Sequence, residues 1–117
     1  MFGVSMEDKV INRVETIDTE RGKAYVFYIN YAMPEYPKGF AFEDKTGKYT
    51  KHKGNGRAFV VVVASNVDED VQRSVLRHEL LHIELGHLDD RKHLTEEEKE
   101  REVEEHLLME GYAVNYL

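Results

Sequence analysis

The sequence predicts an α+β fold: a small antiparallel or mixed β-sheet, followed by one helix and then a C-terminal helix. Two observations predict it. Apolar residues recur with a period near two up to Ser65, and with a period near 3.6 beyond it. The length of 117 residues fits one compact domain, mainly β over 1–65 and mainly helical over 66–117.

Residues from about Lys9 to Asp18 alternate between apolar and polar, DTERG supplies turn chemistry, and Lys23 to Tyr31 resumes the alternation. That pattern predicts a β-hairpin. Pro34 and Pro37 interrupt any regular element, GFAFED at 39–44 fits a further short strand, and KTGKYTKHKGNG reads as a flexible connection. Arg57 to Ser65 holds the run AFVVVVA, rich in β-branched residues and expected to be a buried strand.

A helix is expected from roughly Asp68 to His87. Ser65 or Asn66 would cap it, with Asp68 or Glu69 completing a capping box. Asp68, Glu69 and Asp70 suit the positive end of the helix dipole, and Gly86 with the following Asp pair marks the end. The last helix is expected after Thr95, an N-cap partnered by Glu98. Its inner face runs through Val103, Leu107, Gly111 and Val114, almost to Leu117.

Composition narrows the function. The chain is 41% apolar with no stretch approaching a bilayer span, and its first ten residues lack the basic start and apolar run of a signal peptide. A cytoplasmic protein without membrane association is the expectation. Cysteine is absent, so a transition-metal site would have to use His, Asp and Glu. A net charge of −7 makes nucleic acid an unlikely partner. The basic segment Lys45, Lys48, Lys51, His52, Lys53 and Arg57 reads as a solvated connection between strands, and the acidic run Glu96 to Glu105 as the wet face of a helix.

The segment that carries chemistry is His78-Glu79-Leu80-Leu81-His82, an H-E-x-x-H inside the predicted helix. Residues four apart share a helix face, so both imidazoles reach one metal ion, while Glu79 is displaced around the helix toward a metal-bound water. Zinc lowers the pKa of such a water from about 15.7 toward 7, and a carboxylate beside it takes the proton and later passes it to a leaving amine. The expected activity is zinc-dependent peptide-bond hydrolysis of a polypeptide substrate, with Glu79 catalytic. The alternative is a non-catalytic module that uses zinc to fasten its helices.

A catalytic zinc needs a third protein ligand. His87 and His93 are candidates, but a surface role is expected for both. The acidic helix offers Glu100 and Glu104, which continue the stripe of Val103 and Leu107. Glu100 is favoured as ligand, with Glu104 as the alternative or as acceptor from the second nitrogen of a ligand histidine. His93, His106, Tyr112 and Tyr116 are candidate oxyanion donors.

With HELLH at 78–82 and EREVE at 100–104, the chain resembles the gluzincins, whose third ligand is a glutamate on a later helix. RHELLHIELGH followed by an acidic helix is also similar to the ImmA/IrrE-type peptidases, and the small size to the minigluzincins. The resemblance implies a sheet whose edge strand pairs with an extended substrate, for which the hairpin and Arg57–Ser65 are candidates. It also implies latency, with MFGVSMEDK or YAVNYL lying in the cleft as in a zymogen.

Overall fold

In the computed structural model, which describes residues 11–30, 38–89 and 93–112, four strands precede two helices. The strands are β1 (Ile11–Thr19), β2 (Gly22–Ile29), β3 (Gly39–Glu43) and β4 (Ala58–Ala64), and the helices are α1 (Glu69–Glu84) and α2 (Glu96–Met109). Of the two terminal segments invoked for latency, MFGVSMEDK and all of YAVNYL except Tyr112 lie outside the described residues.

β1 and β2 form the expected hairpin, with Thr19 opposite Gly22 across a two-residue turn. The turn depends on Gly22. Its φ is 150°, and a Cβ there would lie 2.3 Å from the carbonyl oxygen of Arg57, a backbone atom that cannot swing away. The Thr19 hydroxyl closes the loop, donating to the Gly22 carbonyl at 2.6 Å and accepting from the Gly22 amide at 3.1 Å.

The strand order is β1-β2-β4-β3, with β4 parallel to β2 and antiparallel to β3. β4 is therefore central. This corrects the expectation that Arg57–Ser65 could offer a pairing edge: among the described residues the edge strands are β1 and β3. All seven β4 residues are buried, as a strand covered on both faces requires.

One face of the sheet, with Ala24, Val26, Tyr28, Phe59, Val61 and Val63, packs against Val75, Leu80 and Ile83 of α1. The segment between β3 and β4 folds over the other face. Tyr49 sits edge-on to Phe42 with ring centroids 5.5 Å apart, and His52 Nδ1 lies 2.8 Å from the Tyr25 hydroxyl. Buried Asp44 organises this segment by accepting from the amides of Tyr49 and Thr50 at 3.1 and 2.8 Å. The lysine-rich stretch is thus a structured cover rather than a flexible connection.

Helix α1 begins where expected, to within one residue, but with a different cap. Asp68 is the N-cap and makes no side-chain capping bond; Ser65 and Asn66 lie outside the helix. Ser65 is otherwise engaged: its hydroxyl accepts from Asn12, and its carbonyl accepts from Gln72 Nε2. The helix also ends three residues short of His87, in a Schellman motif. Gly86 adopts φ 76°, its amide donates to the Ile83 carbonyl at 3.1 Å, and the His87 amide donates to the His82 carbonyl at 2.9 Å.

Helix α2 starts with the expected capping box, Thr95 accepting from the Glu98 amide while the Glu98 carboxylate accepts from the Thr95 amide. It closes earlier than expected, at Met109. Gly111 at φ 88° and the Tyr112 amide bonded to the Leu107 carbonyl repeat the motif that ends α1. A small cluster of Leu81, Val103 and Leu107, with Leu85 and Tyr112 against it, joins the two helices. Arg77 of α1 reinforces the joint by binding both carboxylate oxygens of Glu110 and of Glu84.

A second ionic latch fixes the far end of α1 to the sheet. Asp89 accepts from Arg21 at 3.0 Å and from Arg57 at 2.6 Å, and Arg57 also binds both oxygens of Glu43. The turn after the helix is thereby tied to the β-hairpin, to β3 and to the start of β4. No helix among the described residues is long and apolar enough to cross a membrane.

Candidate metal centre

Helical spacing puts His78 and His82 one turn apart, and their rings lie 5.0 Å apart on the side of α1 that faces α2. Glu100, one turn before Val103 on α2, reaches across to both. Its Oε1 is 3.0 Å from His78 Nε2 and its Oε2 is 2.9 Å from His82 Nε2. Burial of Val103 and Leu107 sets the rotation of α2, and that rotation carries Glu100 inward.

One ligand atom from each of His78, His82 and Glu100 falls within 4.8 Å of the others, so the three could hold a metal ion. Both histidines are buried and Glu100 is partly exposed, which leaves an approach from solvent. Two imidazoles and a carboxylate form a borderline-hard donor set suited to zinc and its divalent neighbours. Glu104 is not among the converging atoms.

Glu79, the neighbour of His78 on the same turn, is buried at 8% exposure. Burial, and then the nearby charge of Glu100, pushes its carboxyl up to about 8. A cation between the three ligands would oppose both effects and favour the carboxylate. Burial, with the neighbouring His78 and His87, pushes His82 down to about 4, which keeps its imidazole neutral and able to donate a lone pair.

β3 runs beside this turn. A Cβ on Gly39 would lie 2.4 Å from Val75 Cγ1 and 3.4 Å from Glu79 Cγ, so the absence of a side chain at 39 lets the strand lie directly over Glu79. Among the described residues, the edge strand of the sheet nearest the site is β3.

His87 departs from its expected role. It is buried rather than on the surface, with Nδ1 3.0 Å from His82 Nδ1 and Nε2 2.5 Å from a Glu102 carboxylate oxygen. The carboxylate that reaches toward a ligand histidine from behind is therefore Glu102 acting through His87, where Glu104 was expected. One signal in the sequence pointed there. A Schellman motif brings the second residue after the cap over the third residue before it, and with Gly86 in the left-handed position those residues are His87 and His82. His93 is exposed, as expected; Tyr112 packs on the Leu81 cluster, and Tyr116 lies outside the described residues.

A mixed sheet backing a helix that carries H-E-x-x-H, with a glutamate supplied by the next helix, defines the class: small α+β domains with a potential metal site of the HExxH type. The chain belongs to a peptidase family, that of the IrrE N-terminal-like domain, whose sequence profile matches residues 18–115. No curated protein and no solved structure matches the chain significantly.

Proposed function

We propose that the protein is a zinc-dependent metallopeptidase in which His78, His82 and Glu100 hold the metal and Glu79 is the catalytic base. The observation that carries this reading is the convergence of the three ligand atoms within 4.8 Å beside a buried glutamate. Membership of a peptidase family points to polypeptides as substrates.

Zinc held there supplies Lewis-acid polarisation of the scissile carbonyl and acidifies water. The protein's own groups do the rest. Glu79, as carboxylate, takes a proton from the attacking water and returns it to the leaving amide nitrogen. Its burial keeps bulk water from competing for that proton. β3, an edge strand among the described residues, offers main-chain donors and acceptors to an extended substrate, aligning a scissile bond over Glu79 without a deep pocket.

A purely structural zinc would take four protein ligands. Among the described residues the converging set stops at three, and His87, the nearest further imidazole, is turned toward His82 and Glu102. This favours an open coordination position. Treating residues 1–117 as one domain, and the cytoplasm as its setting, belongs to the same proposal and rests on chain length and the cysteine-free composition.

The test is Glu79→Gln. The variant should bind one zinc per chain, as the wild type does, and lose cleavage of an unfolded protein substrate. A wild type that takes up no zinc at neutral pH, or a variant that still cleaves, overturns the proposal.

A further inference from the structure

His87 is held from two directions. Its backbone amide is bonded to the His82 carbonyl at 2.9 Å, and its ring, 1% exposed, stands at 60° to the His82 ring with centroids 5.1 Å apart. Both ring nitrogens have partners: Nδ1 meets His82 Nδ1 at 3.0 Å and Nε2 meets Glu102 at 2.5 Å. Three residues, Glu102, His87 and His82, thus form a line that ends at Glu100.

We propose that Glu102 and His87 act as positioning residues that set the tautomer of His82, presenting its Nε2 lone pair to the metal; this rests on the zinc reading above. The proton count drives the argument. An ionised carboxylate only accepts, and a neutral imidazole carries one N–H. Glu102 therefore takes the Nε2–H of His87, which leaves His87 Nδ1 as an acceptor. That acceptor faces His82 Nδ1, so His82 carries its proton there and Nε2 is bare.

The bare nitrogen lies 2.9 Å from Glu100 Oε2, another acceptor. Two lone pairs at that distance repel, and a cation between them converts the repulsion into two ligand bonds. The opposite tautomer, with His82 Nε2–H bonded to Glu100, would require His87 to carry its proton on Nδ1, donating to His82 Nδ1, and to turn a bare Nε2 against the Glu102 carboxylate. The relay penalises that arrangement and holds the site in the form that a metal needs. A ligand histidine fixed by a carboxylate behind it is a common device. Here a second imidazole is interposed, because His87 occupies the space behind His82 and Glu102 stands one residue farther out.

The experiment measures zinc affinity by competition with a chromophoric chelator for wild type, His87→Phe, Glu102→Ala and His87→Asn, with helical circular dichroism as the check on folding. His87→Phe and Glu102→Ala should bind zinc roughly 10–100-fold more weakly. His87→Asn should recover most of that loss, since its amide oxygen can accept from His82 Nδ1–H. Long-range 1H–15N spectra of the zinc-loaded wild type should show His87 protonated at Nε2 alone and His82 at Nδ1. Folded variants with wild-type affinity, or a His87 protonated at Nδ1, overturn the relay while leaving the zinc reading intact. A wild type that binds no zinc removes both.

Discussion

Arg77 grips Glu110 with two nitrogens, at 2.7 and 3.0 Å, and so fastens the middle of α1 to the residue that ends α2. The pair lies at the other end of α2 from the capping box. Glu100 lies between them, and the rotation of α2 set by buried Val103 and Leu107 determines where its carboxylate arrives.

The first prediction concerns acid. The hydrogen bond from Arg77 holds the Glu110 carboxyl below the usual range, and that from Arg57 does the same for Glu43; Thr95 does so for Glu98. Burial pushes Asp44 up, but its bonds to Thr50, Tyr49 and Lys48 outweigh this and leave it lowered too. Between the folded and the unfolded values the unfolded chain binds more protons, so stability rises with pH there. The contribution is complete above the ordinary carboxylate range, about 4, and is lost as pH falls through the folded values. Through these four groups the urea midpoint should fall below about pH 4. In the metal-free protein Glu79, pushed up to about 8, makes stability fall as pH rises toward 8, while His82, pushed down to about 4, makes it rise from there to the ordinary imidazole range. In Arg77→Leu the neutral midpoint should be lower and the acid limb less steep.

Gly39→Ala places a methyl group 2.4 Å from Val75 Cγ1 and 2.9 Å from the Val62 carbonyl oxygen. The strand must move away from α1, at a cost of about 1–3 kcal/mol. Zinc affinity should be unchanged, because none of the three proposed ligands touches Gly39, whereas kcat should fall by as much as roughly 100-fold from misplacement of Glu79 and the substrate strand. Equal losses in zinc affinity and kcat would show that β3 does not act through Glu79.

Thr95→Ala removes one half of the capping box and should cost about 1 kcal/mol, a fall in Tm of roughly 4 °C for a chain of this size. Zinc should restore most of that loss, since the bound ion would hold the first turns of α2 through Glu100. Differential scanning calorimetry with and without the metal checks both statements.

Metal removal should itself lower Tm. At free zinc about 100 times its Kd, a site present only in the folded chain contributes about 2.7 kcal/mol. Chelation should reverse the gain in the wild type, and His82→Ala should show no zinc-dependent change. A His82→Ala protein stabilised by zinc to the same degree would place the ion elsewhere.

Much of this architecture was legible in local chemistry. The hairpin, the Thr95–Glu98 box and the helix-borne HELLH depend on residues within a few positions of one another, and each appears in the structure. Glu100 was readable because Val103 and Leu107 set a period that one further turn extends to it. The rest depended on distant partners. Nothing near AFVVVVA states that β2 will pair parallel with it while β3 pairs antiparallel, which excludes it from the edge. Ser65 appeared to be a cap until Asn12, from the far side of the sheet, claimed its hydroxyl. His87 appeared to lie on the surface because the expected helix was extended through it, whereas the left-handed Gly86 turns the chain back and buries the ring.

The seven apolar residues of β4 combine high β-propensity with no charge and no proline, the composition of a segment that self-associates when uncovered. Seated between β2 and β3, both of its edges are occupied. β3 is the shorter guard, with five residues against eight. Fraying of β3 therefore exposes the most adhesive stretch of the chain to other molecules. Heating at high protein concentration should end in fibrillar precipitate, and the strand best placed to receive substrate is also the one that keeps the protein from aggregating.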